Sequence, residues 1–148
     1  MASTARRAKD CVFCAIVADV APRSVVYEDD IVIAIMDLRP VTPGHTLVMP
    51  KAHLPRLSDV DATTGARLFE VGQRIAAALY ETGWQVEGIN LFYADGKAAL
   101  QEVFHAHLHV IPRFDGDGFV IDADWSRQPD RNELDAQAGQ LSGLLANP

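Results

Sequence analysis

Apolar residues recur along this chain with two periods, and the period predicts the element. Over residues 61–82, Leu68, Val71, Ile75 and Leu79 return every three or four positions. That spacing predicts one long helix, with Ser58 or Asp61 as its cap, Ala76–Ala78 for close packing and Gly83 as its stop. Residues 31–37, IVIAIMD, are almost continuously apolar and rich in β-branched side chains, which predicts a buried strand. Across the Asp29-Asp30 turn it forms a hairpin with residues 24–28. HTLVM at 45–49 and GINLFY at 88–93 read as two further strands. Residues 10–18 suit a short helix capped by Asp10 and ended by Ala21-Pro22. Residues 131–145 suit a terminal helix with Leu134, Leu141, Leu144 and Leu145. The expected organisation is a flexible arm over 1–10, one domain over 11–120 and a tail over 121–148.

The fifth strand is the informative one. In residues 103–113, VFHAHLHVIPR, His105, His107 and His109 alternate with Phe104, Ala106, Leu108 and Val110. A helix would scatter the three imidazoles, whereas a strand gathers them on one face at roughly 7 Å intervals. The short link 94–102 makes this strand an antiparallel neighbour of 88–93. That link then hangs beside the histidine face, with Gln101 and Lys97 in reach of a ligand. The remaining histidines, His45 and His53, flank the strand 45–49.

Charge and cysteine usage narrow the chemistry. A chain of 148 residues fits one domain, and its net charge of -7 argues against nonspecific binding to nucleic acid or an anionic membrane. It leaves room for an anionic small ligand at a locally positive site. No apolar run approaches the ~20 residues of a membrane span, and no apolar segment follows the basic start MASTARRAKD, so a cytoplasmic protein is expected. The two cysteines, Cys11 and Cys14, are spaced C-x-x-C with no strand before them, which ranks metal binding above redox exchange. Two thiolates make half a tetrahedral zinc site, and His53 and His105 are candidates for the rest. Asp37 ends its strand beside a loop with Pro40, Pro43 and Gly44, a position suited to accepting hydrogen bonds from sugar hydroxyls. Three aligned imidazoles can hold a metal together, or one can attack an electrophile while its neighbour handles protons. A phosphorus electrophile suits imidazole, because the N–P bond is readily hydrolysed. If His105 completes the metal site, His107 and His109 remain for catalysis.

HAHLHVI resembles the His-x-His-x-His-x-x signature of the histidine triad (HIT) family of nucleotide hydrolases and transferases. Cys11–Cys14, Val26–Asp29, Asp37, Pro43–Val48, Pro50-Lys51, His53, Gln101–Val103, Pro112-Arg113 and Gly116–Phe119 are similar to the family's bacterial, zinc-containing branch, in the same order. The resemblance implies an α+β fold, with an antiparallel sheet of about five strands, one long helix and short terminal helices, and a homodimer. It implies that His107 attacks the α-phosphorus of a purine nucleotide to form a nucleotidyl-histidine, with a backbone carbonyl holding its other nitrogen. His109 assists the leaving group, and Gln101 contacts the phosphate. Asp37, with Leu38 beside it, binds the nucleotide, and His45 supports the cluster. Cys11, Cys14, His53 and His105 hold a structural zinc. Two positions depart from the family: Ala94-Asp95 stands where many relatives carry Asn, and Leu100 stands where Gly usually precedes the Gln. The alternatives are a non-enzymatic nucleotide-binding or scaffold protein with the same zinc, and a zinc hydrolase with a metal-activated water.

Overall fold

The structure, a computed structural model, describes residues 9–146, so eight of the ten residues of the expected N-terminal arm lie outside it. Five strands, β1 (Val25–Glu28), β2 (Val32–Met36), β3 (Thr46–Pro50), β4 (Gly88–Tyr93) and β5 (Leu108–Arg113), form one antiparallel sheet in the order β1-β2-β3-β5-β4. Three helices accompany it: α1 (Val12–Val17), α2 (Ala62–Tyr80) and α3 (Arg131–Leu145). The α+β class and the five-stranded antiparallel sheet are as expected.

Alternation along the strands divides the core between the two faces of the sheet. Val32, Ala34, Val48, Leu108 and Val110 point to one face, where Leu68, Val71, Ile75 and Leu79 of α2 cover them. The approach is close: a Cβ at Gly72 would stand 2.8 Å from Leu108 Cδ2, so any side chain there would force that buried leucine to shift. Ile33, Ile35, Leu47 and Met49 point to the other face, against Phe13 and Ile16 of α1. Six residues of helix cannot cover that face, and the part left open beside α1 becomes the candidate site.

Two local expectations change. The histidine strand begins at Leu108 instead of residue 103, so only His109 lies within the ladder. The register Val48↔Leu108 would bring Pro50 opposite Ala106, but proline has no N–H to donate, and its carbonyl already accepts the His105 Nε2–H at 2.7 Å. Ala106 instead donates to the Leu54 carbonyl, 2.6 Å away, so the lead-in is held by the 51–55 loop. At α1 the N-cap is Cys11, not Asp10: its Sγ accepts the Cys14 backbone N–H at 3.5 Å. α2 is capped by Asp61, which accepts the Thr64 N–H at 3.0 Å. α3 forms where the leucine spacing placed it, but none of its residues is buried.

Candidate active site and metal centre

Beside α1 the sheet is hollowed into a cleft of about 490 Å³. It is lined by the apolar side chains of Val12, Phe13 and Ile16 of α1 with Ile35 and Leu47 of the sheet, and by the polar side chains of Asp37, His45, His107 and His109. Two loops make the mouth, one running from Asp37 to Val41 and one from Leu100 to Val103. The first is pinned at its far end by Thr42, whose hydroxyl donates to the Pro112 carbonyl at 2.6 Å.

Hydrogen bonds decide which nitrogen of each ring is available, because a neutral imidazole has one donor and one acceptor. His107 Nδ1 lies 2.7 Å from the His105 carbonyl oxygen, which can only accept, so Nδ1 carries the proton and Nε2 is a bare nucleophile. His45 Nδ1 accepts the Val41 backbone N–H at 3.1 Å, so its Nε2 carries the proton. That Nε2 sits 2.9 Å from His109 Nδ1 and 3.6 Å from Asp37 Oδ2. His109 Nδ1 therefore accepts, and its Nε2 becomes a donor. The His107 and His109 ring centroids are 4.8 Å apart, so the ring with the bare nitrogen and the ring with the N–H stand side by side.

Burial keeps these rings neutral. Desolvation is the largest influence on each and disfavours the charged form. It holds His107 below the usual imidazole range, against the His105 carbonyl and Asp37, which favour protonation. Desolvation, then the neighbouring His107 and His45, press His109 down to about 4. His45 is also lowered, by burial first, with Asp37 opposing.

A second cluster lies behind the first. Cys11 Sγ and Cys14 Sγ each lie 3.6 Å from His105 Nδ1, and Cys14 Sγ lies 3.3 Å from His53 Nδ1. A tetrahedral zinc with Zn–S near 2.3 Å and Zn–N near 2.0 Å has S···N edges of about 3.5 Å. The four donor atoms all lie within 4.8 Å of one another, and the His105 Nε2–H bonded to Pro50 leaves Nδ1 bare for a metal. The residues therefore fit a closed zinc site.

The two clusters share His105 and Phe13. The His105 ring faces the thiolates while its carbonyl orients His107. The Phe13 ring packs edge-on against both His105 and His107, with centroids 5.8 and 5.0 Å away. Phe13, the Val41 N–H and the Pro50 carbonyl have no signature in spacing or composition. Phe92 of β4, whose ring packs on His109 at 5.7 Å, likewise escaped the sequence reading.

Of the residues expected at the site, Asp37 and Leu38 line the cleft, Leu38 as an exposed rim residue. Gln101 does not line it. Gln101 is buried: its Oε1 accepts the Gly96 N–H, and its Nε2 donates to the Pro55 and Val103 carbonyls. In this arrangement it braces the loop that carries residues 96–103. Lys97 is exposed and away from the cleft. The departures from the family also find places. Asp95 accepts from Arg56 Nε and the Leu57 N–H, each at 3.0 Å. Leu100 has φ +67°, the left-handed region that glycine adopts without cost.

A family model described as HIT domain matches residues 18–116. A HIT-like protein of Borreliella burgdorferi is 47% identical over 111 residues, covering 74% of this chain and 80% of its own. An adenylylsulfatase of Arabidopsis thaliana is 35% identical over 132 residues, covering 89% of this chain and 66% of its own. Among solved structures, a zinc-bound histidine triad family protein from Mycobacterium smegmatis is 47% identical with a TM-score of 0.72, covering 91% of this chain and 97% of its own.

Proposed function

This chain belongs to the HIT family, and from that premise we propose that it hydrolyses purine nucleotide phosphoramidates or dinucleoside polyphosphates at the α-phosphorus. The observation that carries the reading is the bond from His107 Nδ1 to the His105 carbonyl, which leaves Nε2 bare at the floor of a cleft. Nε2 attacks the α-phosphorus, an N–P bond forms, and the bond to the leaving group breaks with His109 Nε2–H hydrogen-bonded to the departing atom. Water then attacks the nucleotidyl-histidine, the N–P bond breaks with its electron pair returning to His107 Nε2, and the nucleoside monophosphate leaves, one water proton staying on its phosphate and the other passing to solvent.

The apolar lining of the cleft suits a base, and Asp37 with Leu38 beside it suits the ribose. His45 holds His109 in the tautomer this scheme needs. Gln101 acts as the brace that sets the 100–103 loop against the phosphate. Cys11, Cys14, His53 and His105 would hold zinc, which supplies rigidity between α1 and the catalytic lead-in. Four protein donors close the tetrahedron, which disfavours the reading with a metal-activated water. The nucleotide chemistry falls within residues 11–120, apart from the tail and the N-terminal arm. Two copies pair through β4, an edge strand with Leu91 and Phe92 exposed. We place the protein in the cytoplasm. Among the described residues, no helix is long and apolar enough to cross a membrane.

The test is release of AMP from adenosine 5′-phosphoramidate and from diadenosine tetraphosphate. Wild type is expected to turn over one or both, and His107→Ala to lose at least about a thousandfold in kcat. Full activity in the variant sinks the nucleophile. Tight AMP binding with no turnover of either substrate makes this a nucleotide-binding protein.

A further inference from the structure

An ion pair joins two loops at the mouth of the cleft. Arg39 Nη2 lies 3.0 Å from Glu102 Oε2, and the two residues come from the two loops that form opposite rims. Both side chains are largely exposed, at 84% and 75%. Exposed pairs of this kind hold weakly, so the bridge opens at little cost. Among the described residues lining the cleft, Arg39 is the one permanent cation, against the carboxylates of Asp37 and Glu102. A phosphate-bearing ligand entering this acidic chain therefore meets a single fixed positive charge, and that charge is held by a carboxylate at the entrance.

Direction gives the pair its role. His107 lies at the floor, 6% exposed. In-line displacement places the leaving group opposite the attacking nitrogen, hence outward, toward the mouth. The geometry points to Arg39 and Glu102 as a specificity latch for the leaving group, in which an anionic leaving group, a phosphate chain or a sulfate, displaces Glu102 and takes the Arg39 guanidinium. Phosphate and sulfate oxygens match that planar fork at least as well as a carboxylate does. A neutral amine leaving group gains nothing from Arg39 and leaves the bridge intact. This rests on the hydrolase reading for its catalytic consequence, but the latch also acts on binding alone, because the β-phosphate of ADP occupies the leaving-group side.

Two measurements test it on the full chain. Calorimetry compares the affinities of ADP and AMP for wild type, Arg39→Gln and Glu102→Gln. Arg39→Gln is expected to weaken ADP about tenfold or more while changing AMP by less than about threefold. Glu102→Gln, which frees Arg39, is expected to strengthen ADP. In turnover, the ratio of kcat/KM for diadenosine tetraphosphate over adenosine 5′-phosphoramidate should fall in the first variant and rise in the second. Equal loss of ADP and AMP in Arg39→Gln overturns the latch, because the arginine then serves the nucleotide as a whole or the loop. No change in either nucleotide overturns it as well. If wild type cleaves neither substrate, the hydrolase reading falls, and the ADP–AMP comparison still decides the latch.

Discussion

Two histidine clusters lie side by side in this protein, and their difference shows how one residue type is given two jobs. In the first, His105 and His53 turn Nδ1 toward two sulfurs, with the other His105 nitrogen tied to the Pro50 carbonyl. In the second, His107 gives its Nδ1 proton to a carbonyl and keeps Nε2 bare, while His109 accepts at Nδ1 from His45. Neighbours two residues apart in sequence therefore present opposite nitrogens. The carbonyl or imidazole on the far side of each ring sets its role. The first cluster is complete without a ligand from outside the protein other than a metal. The second has a bare ring nitrogen, an N–H donor and an open cleft.

The sharpest way to separate them is to break each alone. Cys14→Ser should remove bound zinc and cost several kcal/mol of stability, because a structural metal's binding energy is largely folding energy. Metal analysis and a denaturant titration read both losses. His107→Ala should keep zinc and a near-native melting temperature while abolishing turnover. If Cys14→Ser retains zinc and stability, the closed metal site is wrong.

A smaller effect is expected within the second cluster. His45→Ala removes the proton that fixes the His109 tautomer and should lower kcat roughly ten- to a hundredfold. Zinc content should stay unchanged and KM should move little. His45→Gln can offer an amide N–H to His109 and should recover part of the loss. A variant with wild-type kcat would show that His109 needs no such support.

Acidity acts on the same rings. His109 and His45 have folded-state pKa values below the unfolded imidazole value of about 6.5, His109 at about 4. Between those values the unfolded chain binds more protons than the folded one, so stability falls as pH drops from about 6.5 toward 4 and is unaffected by these groups above that window. Melting temperatures across this range check it, and a melting temperature that rises on acidification would contradict it.

The smallest effect concerns Leu100, which lines the mouth in the left-handed region and is 76% exposed. Leu100→Gly should relieve backbone strain of about 1 kcal/mol, offset in part by glycine's greater entropy in the unfolded chain, for a net gain of under about 1 kcal/mol. A loss of more than that would mean the side chain contributes packing not evident from its exposure. The positive φ also gives the physical reason that glycine suits this place in the family.

Much of this was legible in the sequence, because it rests on period and spacing. α2 came from its four apolar residues, and β2 from an unbroken β-branched run. The cysteines of the candidate metal centre came from C-x-x-C, and the lead-in to β5 from three alternating histidines. These are local properties, imposed by the pitch of a helix or the pleat of a strand. Other features depended on groups distant in the chain, and only the tertiary structure decided them. The strand starts at Leu108 because Pro50, more than fifty residues earlier, has no N–H to give and spends its carbonyl on His105. Gln101 looks outward in sequence but is drawn inward by Pro55 and Gly96. The Val41 N–H sets the tautomer of His45, and through it that of His109. Arg39 and Glu102 meet across the mouth although 63 residues separate them. Residue identity supplies an imidazole at each place. Which nitrogen it offers depends on backbone groups brought alongside by folding, and no residue pattern encodes where a carbonyl will point.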